Sequence, residues 1–174
     1  MTSFLVLKNV NEPPLMAVDG HGTWIETKDG RRILDSCGGV VVSSLEYCNS
    51  EVQDAMRRAA DQLAWVHAGS FTTPQAEELV AFLVQRSGGL ARCTFLSGGS
   101  EVMEQAMKVA LQVHHERGDL SRRHFISRRQ SYHGSTLGML GVSGNPARRF
   151  PFEDVLPKAS FVSPCNAYRG MQPR

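Results

Sequence analysis

Residues 93–101 read Cys93-Thr94-Phe95-Leu96-Ser97-Gly98-Gly99-Ser100-Glu101. An apolar, β-prone run gives way to two glycines and a serine, and a helical pattern begins at once. Apolar residues at 103, 106, 107, 110 and 111 follow helical spacing, so a helix is predicted over about 101–117, closed by Gly118. A strand is predicted over Arg92–Leu96. A strand, a Gly-rich turn and a helix N-terminus together offer outward-pointing backbone N–H groups and the positive end of a helix dipole, which suits a phosphate. Gly98 and Gly99 would let an anion approach the backbone closely, and Ser100 could add a hydroxyl donor. On these residues alone a second reading stays open, in which Ser100 is a helix N-cap and the glycines form a tight turn. The segment is neither a G-x-x-x-x-G-K-[ST] loop nor a G-x-G-x-x-G fingerprint.

Downstream, a short strand is predicted over His124–Ser127, and Ser131-Tyr132-His133-Gly134-Ser135-Thr136 follows it. Tyr132 is an aromatic at a strand's carboxyl end and could stack on a planar ligand held by the first turn; ordinary loop packing of Tyr132 and His133 is the alternative. Upstream, Ser50-Glu51-Val52-Gln53 has the capping-box pattern, and a helix follows with Val52, Met56, Ala59, Ala60 and Leu63 inward. A second helix starts near Thr73-Pro74, with Leu79, Phe82 and Leu83 on its core face, and Gly88-Gly89 ends it. Helix–strand alternation from residue 51 onward argues for an α/β sheet with crossover connections. Residues 22–35 alternate around Asp29-Gly30 and predict a β-hairpin with a type I′ turn. Residues 38–45 are expected to be extended and partly buried, and residues 1–18 irregular.

The chain has 174 residues, 41% hydrophobic and 21% charged, which fits a globular protein and excludes a disordered tail, a collagen-like chain or a coiled coil. No apolar run approaches the roughly 20 residues of a membrane helix, and no basic n-region precedes the apolar patch at the N-terminus. A net charge of +2 is too small for a dedicated nucleic-acid binder. Arginine pairs at 31–32, 57–58, 122–123, 128–129 and 148–149 leave a basic-patch binder as a minor alternative. Cysteines 37, 48, 93 and 165 are too widely spaced for a zinc site or a secreted disulfide framework, so free thiols and a cytoplasmic location are expected. His114-His115-Glu116 lacks metal-ligand spacing, and no metal is expected.

Taken together, these stretches resemble the class III, pyridoxal-phosphate-dependent aminotransferases. SGGSEVMEQAMKVA (97–110) is similar to that family's S-G-[ST]-E-A-x-E-x-A-x-K-x-A stretch, and SYHGSTLGMLGVSGNPARRF (131–150) to its YHG segment. DGHGTWIETKDGRRILDSCGGVVVSSL (19–45) resembles its N-terminal hairpin, and PCNAYRG (164–170) a later Pro-x-x-Tyr-Arg stretch. The resemblance implies an α/β fold: part of the aminotransferase-type large domain (PLP fold type I), with an N-terminal β-hairpin arm. It implies an arm over residues 1–50 and an incomplete cofactor-binding domain over 51–174. It implies pyridoxal 5′-phosphate as cofactor, with Gly99 and Ser100 on its phosphate, and Tyr132 against its ring with His133 beside it. It further implies amino transfer from an amino donor to a keto acid or aldehyde, and a homodimer or a pairing with a full-length relative.

The sequence also departs from the family. Its Schiff-base lysine and ring-nitrogen carboxylate lie well beyond the YHG segment, whereas the lysines here are 8, 28, 108 and 158, none in a matching context. No catalytic residue is therefore assigned, and Lys108 is expected to face solvent or pair with Glu104. Leu45-Glu46-Tyr47-Cys48-Asn49-Ser50 stands where the family has a Leu-Gly-His-like turn. Two readings follow: an aminotransferase represented by its N-terminal portion, or a truncated, non-catalytic relative acting as an interaction partner. Either way the bare chain is expected to be inactive.

Overall fold

The computed structural model describes Leu5, Val6, Asn9 and residues 11–168. Lys8 and the Arg169-Gly170 end of the 164–170 stretch lie outside the described residues. The chain divides into two compact units, one reaching to Glu77 and one starting at Glu78.

In the first unit, β1 (Ala17–His21), β2 (Trp24–Thr27) and β3 (Arg32–Leu34) form an antiparallel sheet in chain order. The hairpin at Asp29-Gly30 is present, with Ile25 opposite Ile33 and Glu26 opposite Arg32. Its turn is not type I′: Gly30 alone has positive φ, at 82°, and Thr27 N–H bonds to Arg31 O at 2.9 Å. That closes a three-residue loop with glycine in the left-handed position. Thr27 Oγ1 donates to Asp29, whose carboxylate also pairs with Arg31. These two contacts, Arg31 first, hold the Asp29 carboxyl well below the usual range. The strand β1 was not expected, because Ala17-Val18-Asp19-Gly20-His21 has no clear alternation of its own and pairs by virtue of β2.

Residues 38–41 are not extended. α1 (Gly38–Val41) is a left-handed turn, with φ of 55°, 57°, 63° and 68° along it. Left-handed backbone costs an L-residue roughly 1–2 kcal/mol, and two of these four are β-branched valines. Asp35 anchors the turn: its carboxylate accepts from Cys37 N–H at 3.1 Å, Gly39 N–H at 2.9 Å and Tyr47 Oη–H at 2.6 Å. Val40, Val41 and Val42 are exposed rather than partly buried. Helix α2 (Ser50–Gln62) is capped by Asn49, whose side chain accepts from Val52 N–H at 3.2 Å; the cap lies one residue before the Ser50 expected. Its expected inward residues Val52, Met56 and Leu63 are exposed.

Helix α3 (Pro74–Arg86) starts at its proline, with Thr73 Oγ1 accepting from Ala76 N–H, and the positive φ of Gly88 and Gly89 lies beyond its end. Leu79, Phe82 and Leu83 on it are exposed. Residues 92–96 form no strand, because no described neighbour pairs with them. Helix α4 (Gly99–Glu116) follows and Gly118, at φ 75°, closes it as expected. β4 (Ile126–Arg128) pairs in parallel with β5 (Ser160–Val162), in the register Ile126–Ser160 and Ser127–Phe161. The connection between them carries α5 (Leu137–Val142), α6 (Pro146–Arg149) and a 3-10 turn over Phe150–Val155. This parallel pair with a helical crossover is the expected α/β arrangement. The buried centre is α5: Met139, Leu140, Val142 and Ser143, with Leu156 and Ser127. Arg149 Nη1 donates to the carbonyls of Leu140, Gly141 and Ser143 at the end of α5, and the Leu140 carbonyl also accepts from Ser143 N–H at 3.2 Å.

Candidate functional site

Helix α4 begins on an extended Gly98 as its N-cap, so Ser100 is inside the helix and the reading of Ser100 as the cap does not hold. Glu101 Oε2 accepts from Gly98 N–H at 3.1 Å, one half of a capping box; glycine has no side chain to return the other half. The N–H groups of Gly99 and Ser100, at the first two helical positions, have no intrahelical acceptor. A Cβ built on Gly99 meets nothing within 4 Å, so the space before the turn is open. These donors, the helix N-terminus and the open space fit a phosphate.

The segment after β4 comes directly onto this turn. Ser135 N–H donates to Ser100 Oγ at 2.9 Å. A hydroxyl that accepts on its oxygen keeps its own proton for another acceptor, so Ser100 retains a hydrogen to give to an anion. The approach depends on Gly134, whose φ is 144° and whose Cβ, if present, would lie 2.5 Å from Ser100 Oγ. Next to it, Thr136 Oγ1–H donates to Glu104 Oε1 at 2.6 Å. Glu104 is thus engaged with Thr136, not in an ion pair with Lys108, which is exposed.

Tyr132 is 61% exposed. Its hydroxyl lies 3.0 Å from Ser135 Oγ, and the Arg148 guanidinium sits 5.1 Å from the ring centroid. His133 turns inward instead: its ring Nε2 is 3.3 Å from Ser127 Oγ, and its backbone N–H donates to Ser143 Oγ at 3.0 Å. Four residues named from sequence therefore lie on two segments that meet at Ser100, with the Tyr132 ring in the open and the His133 ring against β4. Gly134, Ser135, Glu104 and Thr136 complete the meeting point. Gly134 was visible as the glycine of the Tyr-His-Gly segment; the Glu104–Thr136 pair, 32 residues apart, has no local sequence signal.

A cavity of about 300 Å³ lined by Arg129, Pro146, Arg149, Phe150 and Phe161 involves none of these residues. Arg31, Arg57, Arg122 and Arg149 are each paired with a carboxylate, which weakens the basic-patch reading. The four cysteines are free and exposed, no cluster of metal-ligating side chains occurs among the described residues, and no described helix is long and apolar enough to cross a membrane.

Comparison with known proteins points one way. The family described as Aminotransferase class-III matches residues 6–171. An uncharacterized aminotransferase of Schizosaccharomyces pombe is 36% identical over 169 residues, covering 96% of this chain and 37% of its own length. An acetylornithine aminotransferase of Myxococcus xanthus is 33% identical over 148 residues, covering 85% of this chain and 36% of its own. Among solved structures, a PLP-bound amine transaminase from an uncultivated Pseudomonas species superposes with a TM-score of 0.86 at 25% identity, over 99% of this chain and 41% of that one. An omega transaminase of Pseudomonas jessenii in complex with PMP gives 0.85 at 23% identity, a likeness of fold. The chain thus spans well under half the length of these relatives.

Proposed function

The chain belongs to the class III aminotransferase family, and from that membership we propose that it carries the phosphate- and ring-binding part of a pyridoxal 5′-phosphate site, serving transfer of an amino group from a small-molecule donor to a keto acid or aldehyde. The observation that carries the reading is the Ser100–Ser135 contact, which sets the open helix N-terminus beside the Tyr132 segment. In this reading the N–H groups of Gly99 and Ser100 and the Ser100 hydroxyl hold the phosphate. Tyr132 lies against the ring, and Arg148 steadies Tyr132 from one face. His133, tied to Ser127 and Ser143, supports the loop from below. When bound, the cofactor acts as an electron sink that makes the proton on the donor's amino-bearing carbon acidic.

We propose, further, that residues 1–50 form an arm and 51–174 a cofactor-binding portion, and that the chain pairs with a second subunit. No residue of this chain is assigned to move the substrate proton. Lys28, Lys108 and Lys158 are exposed, and Lys108 lies nine residues beyond Gly99, about 13 Å along the helix. We therefore propose that these 174 residues by themselves bind the cofactor without turning over.

The experiment is a titration of the chain and its Ser100→Ala variant with pyridoxal 5′-phosphate. Loss of one hydrogen bond to a charged group predicts weaker binding by about 1.5–3 kcal/mol. Equal affinity of the two proteins would refute the assignment of Ser100.

A further inference from the structure

Glu104 stands one helical turn after Ser100 on α4, so both side chains leave the same face of the helix. Ser100 takes the backbone N–H of Ser135, and Glu104 takes the hydroxyl of the next residue, Thr136. Thr136 Oγ1 in turn accepts from Met139 N–H at 3.3 Å, as the N-cap of α5. With its oxygen committed to that N–H, its hydrogen is directed at Glu104. The carboxylate has a place made for it: a Cβ on Gly138 would collide with both Glu104 oxygens, although the Gly138 backbone is of an ordinary kind. Tyr132 is joined to the same two-point grip through Ser135, its hydroxyl 3.0 Å from Ser135 Oγ.

We propose that Glu104 is a positioning residue: through Thr136 it fixes the 132–136 segment on α4, and so sets the attitude of the Tyr132 ring toward a planar cofactor whose phosphate is held at Gly99–Ser100. This rests on the reading of the site as a pyridoxal-phosphate site and adds a residue that touches neither phosphate nor ring. Its consequence is selective. Loss of the grip frees the ring-binding segment, while Gly99 N–H, Ser100 N–H and the Ser100 hydroxyl stay in place. Ring recognition should fall and phosphate recognition should not.

The test uses the 174-residue chain with Glu104→Ala, Glu104→Gln and the nearly isosteric Thr136→Val. Affinities for pyridoxal 5′-phosphate and for inorganic phosphate are measured, together with the circular dichroism induced in the bound cofactor, which reports a fixed ring attitude. Glu104→Ala and Thr136→Val are expected to weaken cofactor binding roughly tenfold, the loss of one charge-assisted hydrogen bond. They should also lower the induced signal at saturation by at least half, with phosphate affinity unchanged within about threefold. Glu104→Gln, which keeps an oxygen to accept from Thr136, should recover most of both. Wild-type affinity and signal in Glu104→Ala and Thr136→Val would overturn the positioning role and leave the cofactor site standing. Equal losses for cofactor and phosphate, or a Glu104→Gln variant as poor as Glu104→Ala, would also overturn it, by showing a role in folding the turn or a need for the charge itself. No binding of the cofactor by the wild-type chain would overturn the site reading, and this inference with it.

Discussion

Gly99 and Gly134 are both glycines beside Ser100, but they answer to different constraints. At Gly134 the φ of 144° and the close approach to Ser100 Oγ both exclude a side chain. Gly134→Ala should break the Ser135–Ser100 hydrogen bond and destabilise the segment by about 1–3 kcal/mol, seen as faster hydrogen exchange at the Ser135 amide. Unchanged exchange there would contradict the geometry. At Gly99 no described residue outside its immediate neighbours and its own helical turn lies within 4 Å of an added Cβ, so Gly99→Ala should fold as well as the wild type. Its methyl would instead point into the space assigned to phosphate. The expected result is unaltered stability in urea with clearly weakened pyridoxal 5′-phosphate binding. Equal binding would count against the assignment of that space. The position of the turn was legible in the sequence from its two glycines, although those residues alone leave a tight turn and an anion site both open. The role of Ser100 was less so. As a cap or as a donor it looks the same in one dimension; the neighbouring Gly98 N-cap removes the first reading, and the incoming Ser135 N–H leaves the hydroxyl hydrogen for the phosphate we propose.

Short elements here are held by side chains placed at their ends. Arg149 donates to three carbonyls at the end of α5, pairs with Glu153 at 2.9 Å and lies 4.8 Å from the Phe161 ring centroid. Arg149→Met keeps much of the apolar stem and leaves the Gly141 and Ser143 carbonyls without this donor, while Leu140 O keeps the Ser143 N–H. A loss of about 2–3 kcal/mol is expected, measured by urea unfolding; a loss under half of that would show that water replaces the guanidinium. In the first unit, the Tyr47 hydroxyl donates to Asp35 and, with the Gly39 and Cys37 N–H groups, lowers the Asp35 pKa, while Asp35 raises that of Tyr47. A lowered carboxyl contributes above its ordinary value, near 4, and is lost as pH falls through its lower folded value. A raised phenol contributes below its ordinary value, near 10, and is lost as pH rises through its higher folded value. Hydrogen exchange at the Gly39 amide should therefore be slower in wild type than in Tyr47→Phe between those limits. The difference should close on either side, and a difference independent of pH would contradict the pairing. The long helices and the hairpin were legible from periodicity and turn residues. The left-handed turn at Gly38–Val41 was not, because its valines carry β propensity and its cause, the Asp35 carboxylate, acts from outside the run. The run at 92–96 has strand composition, but a ladder needs a partner and none of the described residues supplies one.

At the scale of the molecule, the chain covers 37% of the fission-yeast relative and 41% of the Pseudomonas amine transaminase structure. Many large apolar side chains are exposed in it, among them Val41, Trp65, Phe71, Phe150 and Val155. Exposed apolar side chains in this number promote association, so sedimentation of the purified chain should show species larger than a monomer; a stable monomer at tens of micromolar would contradict this. The lysines present argue against covalent capture of the cofactor. Borohydride reduction of the chain with pyridoxal 5′-phosphate should label its lysines diffusely, without turnover of an amino donor and a keto acid. One lysine labelled stoichiometrically, with turnover, would show that a residue such as Lys108 acts in a way this account does not allow. The most direct test of the central claim is a crystal structure of the chain soaked with pyridoxal 5′-phosphate. The account predicts the phosphate within hydrogen-bond distance of Gly99 N, Ser100 N and Ser100 Oγ, and the ring against Tyr132. Cofactor density elsewhere, or none at Gly99–Ser100 under saturating cofactor, would contradict it.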